Sequence, residues 1–416
     1  MDLLAELKEG KGDTMKKKLV QINTVCNNST GRIMGDIQRC ALKHGYDAIS
    51  FVGRRKPFTD IRCEKIGNGI SFWTHVAINT VFDRQGYGSY FVTRKMIKRI
   101  KEENPDIIHL HNLHGYYLNL PLLFDYLGNE FQGQIFWTFH DCWPFTGHCP
   151  HFVAAGCDKW RTQCHNCPCK TQYPISFFLD SSRKNYQDKK RMICSLKNLT
   201  IITPSEWMKR WIKDSFVGQY PIHVISNGID LEKFSYRVDN IVLDKYNIPS
   251  DKKIILGVAS VWDQRKGLKD FMELADSIGD DYCIVLVGLN RKQIKKLKPN
   301  MVGIERTDNQ DEIAVLYSAA DIFVNPSVEE SFSLVTVEAF ACGTPVIVLD
   351  TSAVKELVNE NNGVVLQSHT TADYLKAIQK LENESLSRDR VAATARKYEL
   401  YKNIEKCVAL YDVCSD

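Results

Sequence analysis

The sequence predicts an α/β protein made of two Rossmann-like halves, each a doubly wound parallel sheet. Three observations predict it. Short apolar runs bounded by polar turns alternate with longer stretches of helical periodicity, the pattern of a parallel sheet covered on both faces. The runs fall into two series, separated near 230–240, where periodicity lapses. And 416 residues allow two domains, each large enough to bury its own core.

In the first series the strands are expected at 19–25, 48–52, 107–110, 135–139, 199–203 and 222–225, with helices such as 32–44 and 90–102 between them. In the second they are expected at 253–259, 282–288, 322–325 and 345–349, with helices at 266–278, 311–318 and 335–341. The domain reading is an extension at 1–14 ahead of a start at Met15, a first domain at 15–235 and a second at 236–395. A final helix at 396–416 is expected to pack back on the first domain.

Hydrophobic residues make up 44% of the chain and charged ones 25%, the balance of a globular enzyme, which excludes collagen-like, coiled-coil and disordered classes. A net charge of +4 implies no nucleic-acid partner. No apolar run is long enough to span a bilayer. Lys16, Lys17 and Lys18 faintly resemble a signal-peptide start, but Gln21, Asn23, Asn27 and Asn28 interrupt any apolar core, so a cytoplasmic protein is expected. Basic helix faces, Arg94, Lys95, Lys98, Arg99 and Lys101 in one half and Arg291, Lys292, Lys295, Lys296 and Lys298 in the other, are solvated surface or a weak attraction to an anionic membrane.

The most informative stretch runs from Asn325 through Glu330, Phe332, Ser333, Leu334 and Glu338 to Ala341-Cys342-Gly343-Thr344-Pro345. A strand ends, a polar turn follows, and a helix begins near Ser333, where free backbone N–H groups would hold phosphate or sugar oxygens. Glu330 and Glu338 would place two carboxylates there, and carboxylates are strong acceptors for hydroxyl groups. Arg265 and Lys266 precede another helix, against the macrodipole, unless an anion sits there. Gly31, in the first βα turn, permits close backbone approach to a ligand. His140 follows the strand at 135–139, at the carboxyl edge where doubly wound sheets bind ligands. Neither G-x-G-x-x-G at the first turn nor a Walker A sequence occurs, which weakens dehydrogenase and P-loop kinase readings.

Six of the 14 cysteines lie between Cys142 and Cys169, and seven of the 11 histidines between His109 and His165. Cys149, Cys157, Cys164 and Cys167 include a C-x-x-C pair and would suit a tetrahedral structural zinc; free buried thiols and disulfides are the alternatives.

The Glu330-to-Glu338 stretch and its Ala-Cys-Gly-Thr-Pro-Val-Ile continuation resemble the signature of the retaining family-4 glycosyltransferases. Thr138-Phe139-His140-Asp141-Cys142-Trp143-Pro144, the Cys-rich insert at 142–169 and Trp262-Asp263-Gln264-Arg265-Lys266-Gly267 are closest to the colanic-acid, capsule and exopolysaccharide members. The resemblance implies a GT-B fold, two Rossmann-like domains facing a cleft, and transfer from a UDP- or GDP-linked sugar to a glycan or lipid-linked oligosaccharide. It implies Glu330 as donor-sugar carboxylate, Glu338 as ribose ligand and Lys266 as diphosphate ligand. Phe332, Ser333 and Leu334 would give backbone contacts, and His140 a catalytic imidazole near the reacting bond. The family's arginine after the first strand of the second domain is absent here, with Arg265 its substitute. The related enzymes share the cysteine spacing. Without an Asp-x-Asp, no catalytic divalent ion is expected. The remaining readings are a nucleotide-sugar epimerase of the same fold and a non-enzymatic zinc-dependent scaffold. Peripheral contact with the inner membrane face is expected of an enzyme with a lipid-linked acceptor.

Overall fold

A computed structural model describes residues 16–413; the extension expected at 1–14 lies outside them. The first half contains β1 (Lys18–Val25), α1 (Asn28–Lys43), β2 (Asp47–Arg54), β3 (Cys63–Lys65), α2 (Gly69–Phe82), α3 (Tyr90–Glu103), β4 (Ile107–Leu110), α4 (Leu120–Asn129), β5 (Gln134–Thr138), α5 (Ser182–Cys194), β6 (Leu199–Thr203), α6 (Glu206–Lys213) and β7 (Ile222–Val224). The second half contains α7 (Asn240–Lys245), β8 (Lys253–Val258), α8 (Leu268–Ser277), β9 (Tyr282–Val287), α9 (Arg291–Ile294), β10 (Met301–Ile304), α10 (Gln310–Ala319), β11 (Ile322–Asn325), α11 (Leu334–Ala341), β12 (Val346–Leu349), β13 (Gly363–Leu366), α12 (Thr371–Glu384), α13 (Arg388–Ala393) and α14 (Leu400–Val413).

Both sheets are wholly parallel, in the orders β3-β2-β1-β4-β5-β6-β7 and β10-β9-β8-β11-β12-β13. Strand order reverses between β1 and β4 in the first sheet and between β8 and β11 in the second, and such reversals open a crevice at the carboxyl ends. Alternate strand residues feed opposite cores. Val20, Ile22, Ile108 and Trp137 enter one core of the first sheet, and Leu19, Ile107 and Phe136 the other. Leu256, Val285 and Phe323 are divided in the same way from Ile255, Ile284 and Ile322 in the second.

Every strand expected from the sequence is present, and three more appear: β3, β10 and β13. All three are sheet edges, short and carrying polar or glycine residues, so they lack the continuous apolar run of a strand buried on both faces.

The chain crosses between domains twice, side by side. The N–H of Ile229 donates to Tyr398 O and that of Leu400 to Ile229 O, both at 2.9 Å. Beyond that crossing α14 returns to the first domain. Ile404, Cys407, Val408 and Tyr411 join the core beside α1.

Candidate active site

The carboxyl ends of the two sheets face each other across a cavity of about 780 Å³. The loops after β1, β2, β5 and β7 line one side, and those after β8, β9, β10 and β11 the other.

The loop after β11 is held as an arch by one buried amide. Asn325 Nδ2 donates to Ser333 Oγ at 2.9 Å and to Thr336 Oγ1 at 3.1 Å, while its Oδ1 accepts the Ser327 N–H at 3.2 Å. Ser333 closes the arch at φ 96°, a strained conformation for a residue with a side chain. No side chain caps α11, so its first-turn N–H groups are left for another acceptor. Leu334 and Val335 lie in the lining there. Phe332 also lines the cavity, but its ring is buried edge-on to Tyr398 at 5.6 Å between centroids.

Glu330 stands on this arch, and its carboxylate is ion-paired with Lys266 Nζ. Burial pushes the Glu330 carboxyl up, but the Lys266 ammonium and the Arg265 guanidinium outweigh it and hold the group below its ordinary range. Lys266 ends a short turn whose backbone is capped by Asp263, with Lys266 N–H to Oδ1 at 3.0 Å. Gly267 then adopts φ +72°, and a Cβ there would lie 2.6 Å from Pro326 Cγ, so glycine is what lets the lysine turn meet the arch. Arg265 turns away from the lining. It donates from Nη1 to Glu329 O at 2.8 Å, and its own carbonyl accepts the Val328 N–H at 3.1 Å. It braces the arch from behind.

Glu338 lies on the cavity side of α11 and accepts the Tyr317 hydroxyl at 3.1 Å. Burial raises its carboxyl to about 6, partly opposed by the Tyr317 hydrogen bond and by Arg32.

His140 lines the cavity from the first domain, its ring stacked on His111 with centroids 5.4 Å apart. Its tautomer follows from the bonds behind it. Gln21 Nε2 donates to Met34 O at 2.9 Å, so Gln21 Oε1 accepts from His111 Nε2 at 3.1 Å. His111 Nδ1 is then an acceptor, His140 Nε2 donates to it at 3.1 Å, and His140 Nδ1 is the nitrogen left for a ligand. Burial lowers the His140 imidazole to about 4, so the ring is neutral near pH 7. Asp141 pairs with His114, at 2.8 Å, and not with its neighbour.

Gly31 does not have the setting expected of it. α1 begins at Asn28, which puts Gly31 inside the first helical turn and outside the lining, and a Cβ there would lie 2.4 Å from the Cys26 carbonyl carbon. The missing side chain makes room for the end of β1, while the neighbouring Thr30 and Arg32 reach the cavity. Arg32, Arg55 and Arg306 all line it, and among the described residues none forms an ion pair. Arg32 lies in the second turn of α1, and Arg55 and Arg306 sit in the loops after β2 and β10, with no shared motif, so no single sequence pattern marks the three.

Cys149, Cys157, Cys164 and Cys167 border one void of about 10 Å³, together with His148 and His165. Among the described residues, however, no group of three or more His, Cys, Asp or Glu side chains is placed to hold a metal ion. Cys164 Sγ accepts the Gly147 N–H at 3.2 Å, and burial together with the neighbouring Cys167 and Cys169 pushes the Cys149 thiol up. Each described cysteine is a free thiol. The insert also reaches the other domain, where the buried carboxylate of Glu329 accepts its backbone N–H groups.

Two facing parallel-sheet domains with a charged cavity at the carboxyl edges of both define a GT-B glycosyltransferase. A family model described as Glycosyltransferase Family 4 matches residues 31–233, and one described as Glycosyl transferases group 1 matches residues 240–398. The chain belongs to glycosyltransferase family 4.

A protein of Escherichia coli K12 named as the colanic acid biosynthesis glycosyl transferase WcaC is 26% identical over 304 residues, 70% of each chain. The processive diacylglycerol alpha-glucosyltransferase of Acholeplasma laidlawii is 29% identical over 194 residues, 44% of this chain; the match spans only 58% of that enzyme. Among solved structures, sucrose-phosphate synthase from Thermosynechococcus elongatus superposes with a TM-score of 0.71 at 16% identity, over 96% of this chain and 99% of that one. Anabaena HepE in complex with UDP and glucose superposes with a TM-score of 0.67 at 13% identity, over 95% and 100%. These two likenesses establish the fold.

Proposed function

We propose that the chain is a retaining glycosyltransferase that moves a sugar from a nucleotide-diphosphate sugar to a glycan or lipid-linked oligosaccharide in surface polysaccharide biosynthesis. The observation that carries this reading is the convergence of Lys266, Glu330, Glu338, the α11 amides and His140 on one interdomain cavity. UDP is the first nucleotide to test, since HepE was solved with it.

In this reading Glu338 accepts the ribose hydroxyls. The α11 amides and Lys266 take up negative charge as the diphosphate leaves. Lys266 is held by Glu330 before the donor arrives, so an incoming diphosphate shares the ammonium and frees Glu330 for sugar hydroxyls. His140, neutral, accepts a donor hydroxyl at Nδ1. The acceptor hydroxyl attacks the face from which the diphosphate departs, and a departing phosphate oxygen takes its proton. Closure of the two domains excludes water, which would otherwise hydrolyse the donor. The colanic-acid-type relative supports the polysaccharide setting.

The test is proton NMR of the donor sugar turned over with and without acceptor. Transfer product, or slowly released free sugar, that keeps the donor's anomeric configuration supports the reading. Inverted product contradicts retention. A new nucleotide sugar formed from donor alone would establish the epimerase instead.

A further inference from the structure

Helix α2 is turned inside out for a helix in water. Its buried side carries His75 and Asn79. Its outer side carries Ile70, Trp73, Ala77 and Val81 at three- and four-residue spacing, with Ile70 78% and Trp73 67% exposed. Hydrogen bonds lock this orientation. His75 Nε2 accepts the Gly86 N–H and His75 Nδ1 meets Ser89 Oγ, both at 3.0 Å, and Asn79 Nδ2 donates to Ile175 O at 2.9 Å.

Neighbours extend the apolar face at both ends. Ser71 Oγ donates to Ser89 Oγ at 3.2 Å, which brings up the start of α3 with Phe91, 81% exposed. At the other end Phe177 N–H donates to Thr80 O at 3.0 Å and Leu179 N–H to Val81 O at 3.1 Å, laying a strap along α2 with Phe177, Phe178 and Leu179 outward. From Phe91 the outer face of α3 continues as Arg94, Lys95 and Lys98, exposed and, among the described residues, without an ion pair. A ring series, Phe72–Tyr116–Tyr173–His114, runs inward from α2 to the residue that pairs with Asp141, next to His140. The series links the patch, through packed rings, to the wall of the cleft.

We propose that this face of the first domain docks on an anionic lipid bilayer, Trp73, Phe91, Phe177 and Phe178 entering the headgroup–acyl boundary and Arg94, Lys95 and Lys98 lying on the headgroups. Exposed apolar surface of this extent marks an interaction site, and aromatic anchors beside unpaired cations fit an anionic interface. A second copy on the same face would add the same cations, not the acids to meet them. The proposal rests on the reading of a lipid-linked acceptor, which docking would present to the cleft.

The experiment is co-sedimentation of the full chain with vesicles of equimolar phosphatidylcholine and phosphatidylglycerol and with pure phosphatidylcholine, at low and high salt. The expected result is binding to the anionic vesicles that weakens with salt and with loss of the charged lipid. Trp73→Ser/Phe91→Ser, Phe177→Ser/Phe178→Ser and Arg94→Glu/Lys95→Glu should each reduce it by roughly tenfold, with UDP binding unchanged. No vesicle binding by a chain that binds UDP overturns the proposal. So does equal binding to both vesicle types, or light scattering that shows a dimer abolished by the Trp73/Phe91 pair without vesicle binding. Vesicle binding without transfer to a lipid-linked acceptor would retire the acceptor reading and leave docking standing.

Discussion

The carboxylate of Glu329 accepts the N–H of Val153 at 2.8 Å from one oxygen and that of Phe152 at 3.1 Å from the other. The two amides belong to the Cys-rich insert of the first domain, and Glu329 stands beside Glu330 on the arch of the second. Ser205 Oγ adds a third crossing bond, donating to Ser331 O at 2.7 Å. The insert thus clasps the arch that carries Glu330.

Replacing Glu329 tests the clasp. Hydrogen bonds to a charged group contribute about 1.5–3 kcal/mol, and a buried amide left unpaired costs about 1–3 kcal/mol. Glu329→Ala should lower sugar transfer by at least tenfold, about 1.4 kcal/mol, while leaving UDP affinity nearly unchanged, because the ribose and diphosphate ligands do not rest on this contact. Glu329→Gln, which keeps one acceptor, should fall between. Calorimetry and steady-state kinetics on the same samples check it; equal loss of UDP affinity would assign Glu329 to general folding.

Nucleotide binding should weaken in acid. In the proposed reading Glu338 binds ribose as a carboxylate, and its pKa is raised to about 6 by burial. Affinity is therefore full above that value and falls as pH drops through it. At pH 5 it should be down by about tenfold, since one pH unit below a pKa leaves roughly a tenth of the group ionised. Glu338→Gln should be weak at every pH and lose the dependence. A wild-type affinity that is flat from pH 5 to 8 would remove Glu338 from the ribose.

His140 should contribute no titration limb near neutrality. Burial holds its imidazole at about 4, so in the proposed reading it acts as a neutral acceptor throughout the working range. His140→Phe should cut kcat by about 100-fold, the low end for loss of one preorganised contact, without moving the pH optimum, and Gln21→Met should produce a milder loss by freeing the His111 tautomer. A pH–rate limb that vanishes in His140→Phe would show the ring working as an acid or base.

Much of the fold was legible in the sequence because central parallel strands are buried on both faces and write themselves as apolar runs such as Ile254–Leu256 and Val346–Leu349. Edge strands such as Cys63–Lys65 are not so marked. Helix α2 hid for the opposite reason: with His75 and Asn79 inward and Trp73 outward, its pattern inverts the rule by which helices are found. That Glu330 and Glu338 line one cavity was legible because they sit in one continuous motif. The supports of the arch were not. Arg265 faces the Glu329 carbonyl instead of the cavity, Gly31 serves helix–strand packing, and Glu329 finds its partners 176 and 177 positions away, a relationship no local pattern encodes.

Lys266 joins the two halves of the account, since it pairs with Glu330 and is assigned the diphosphate. Lys266→Ala should remove that contact and also leave the half-buried Glu330 without its cation. The most direct measurement is calorimetry of UDP, GDP and ADP and their sugar conjugates against the wild type, Lys266→Ala and Glu338→Ala, with melting curves to show each is folded. The account predicts one nucleotide class bound by the wild type and lost, by tenfold or more, in both variants. Binding that survives in both variants, or no binding by a folded wild type, would contradict it.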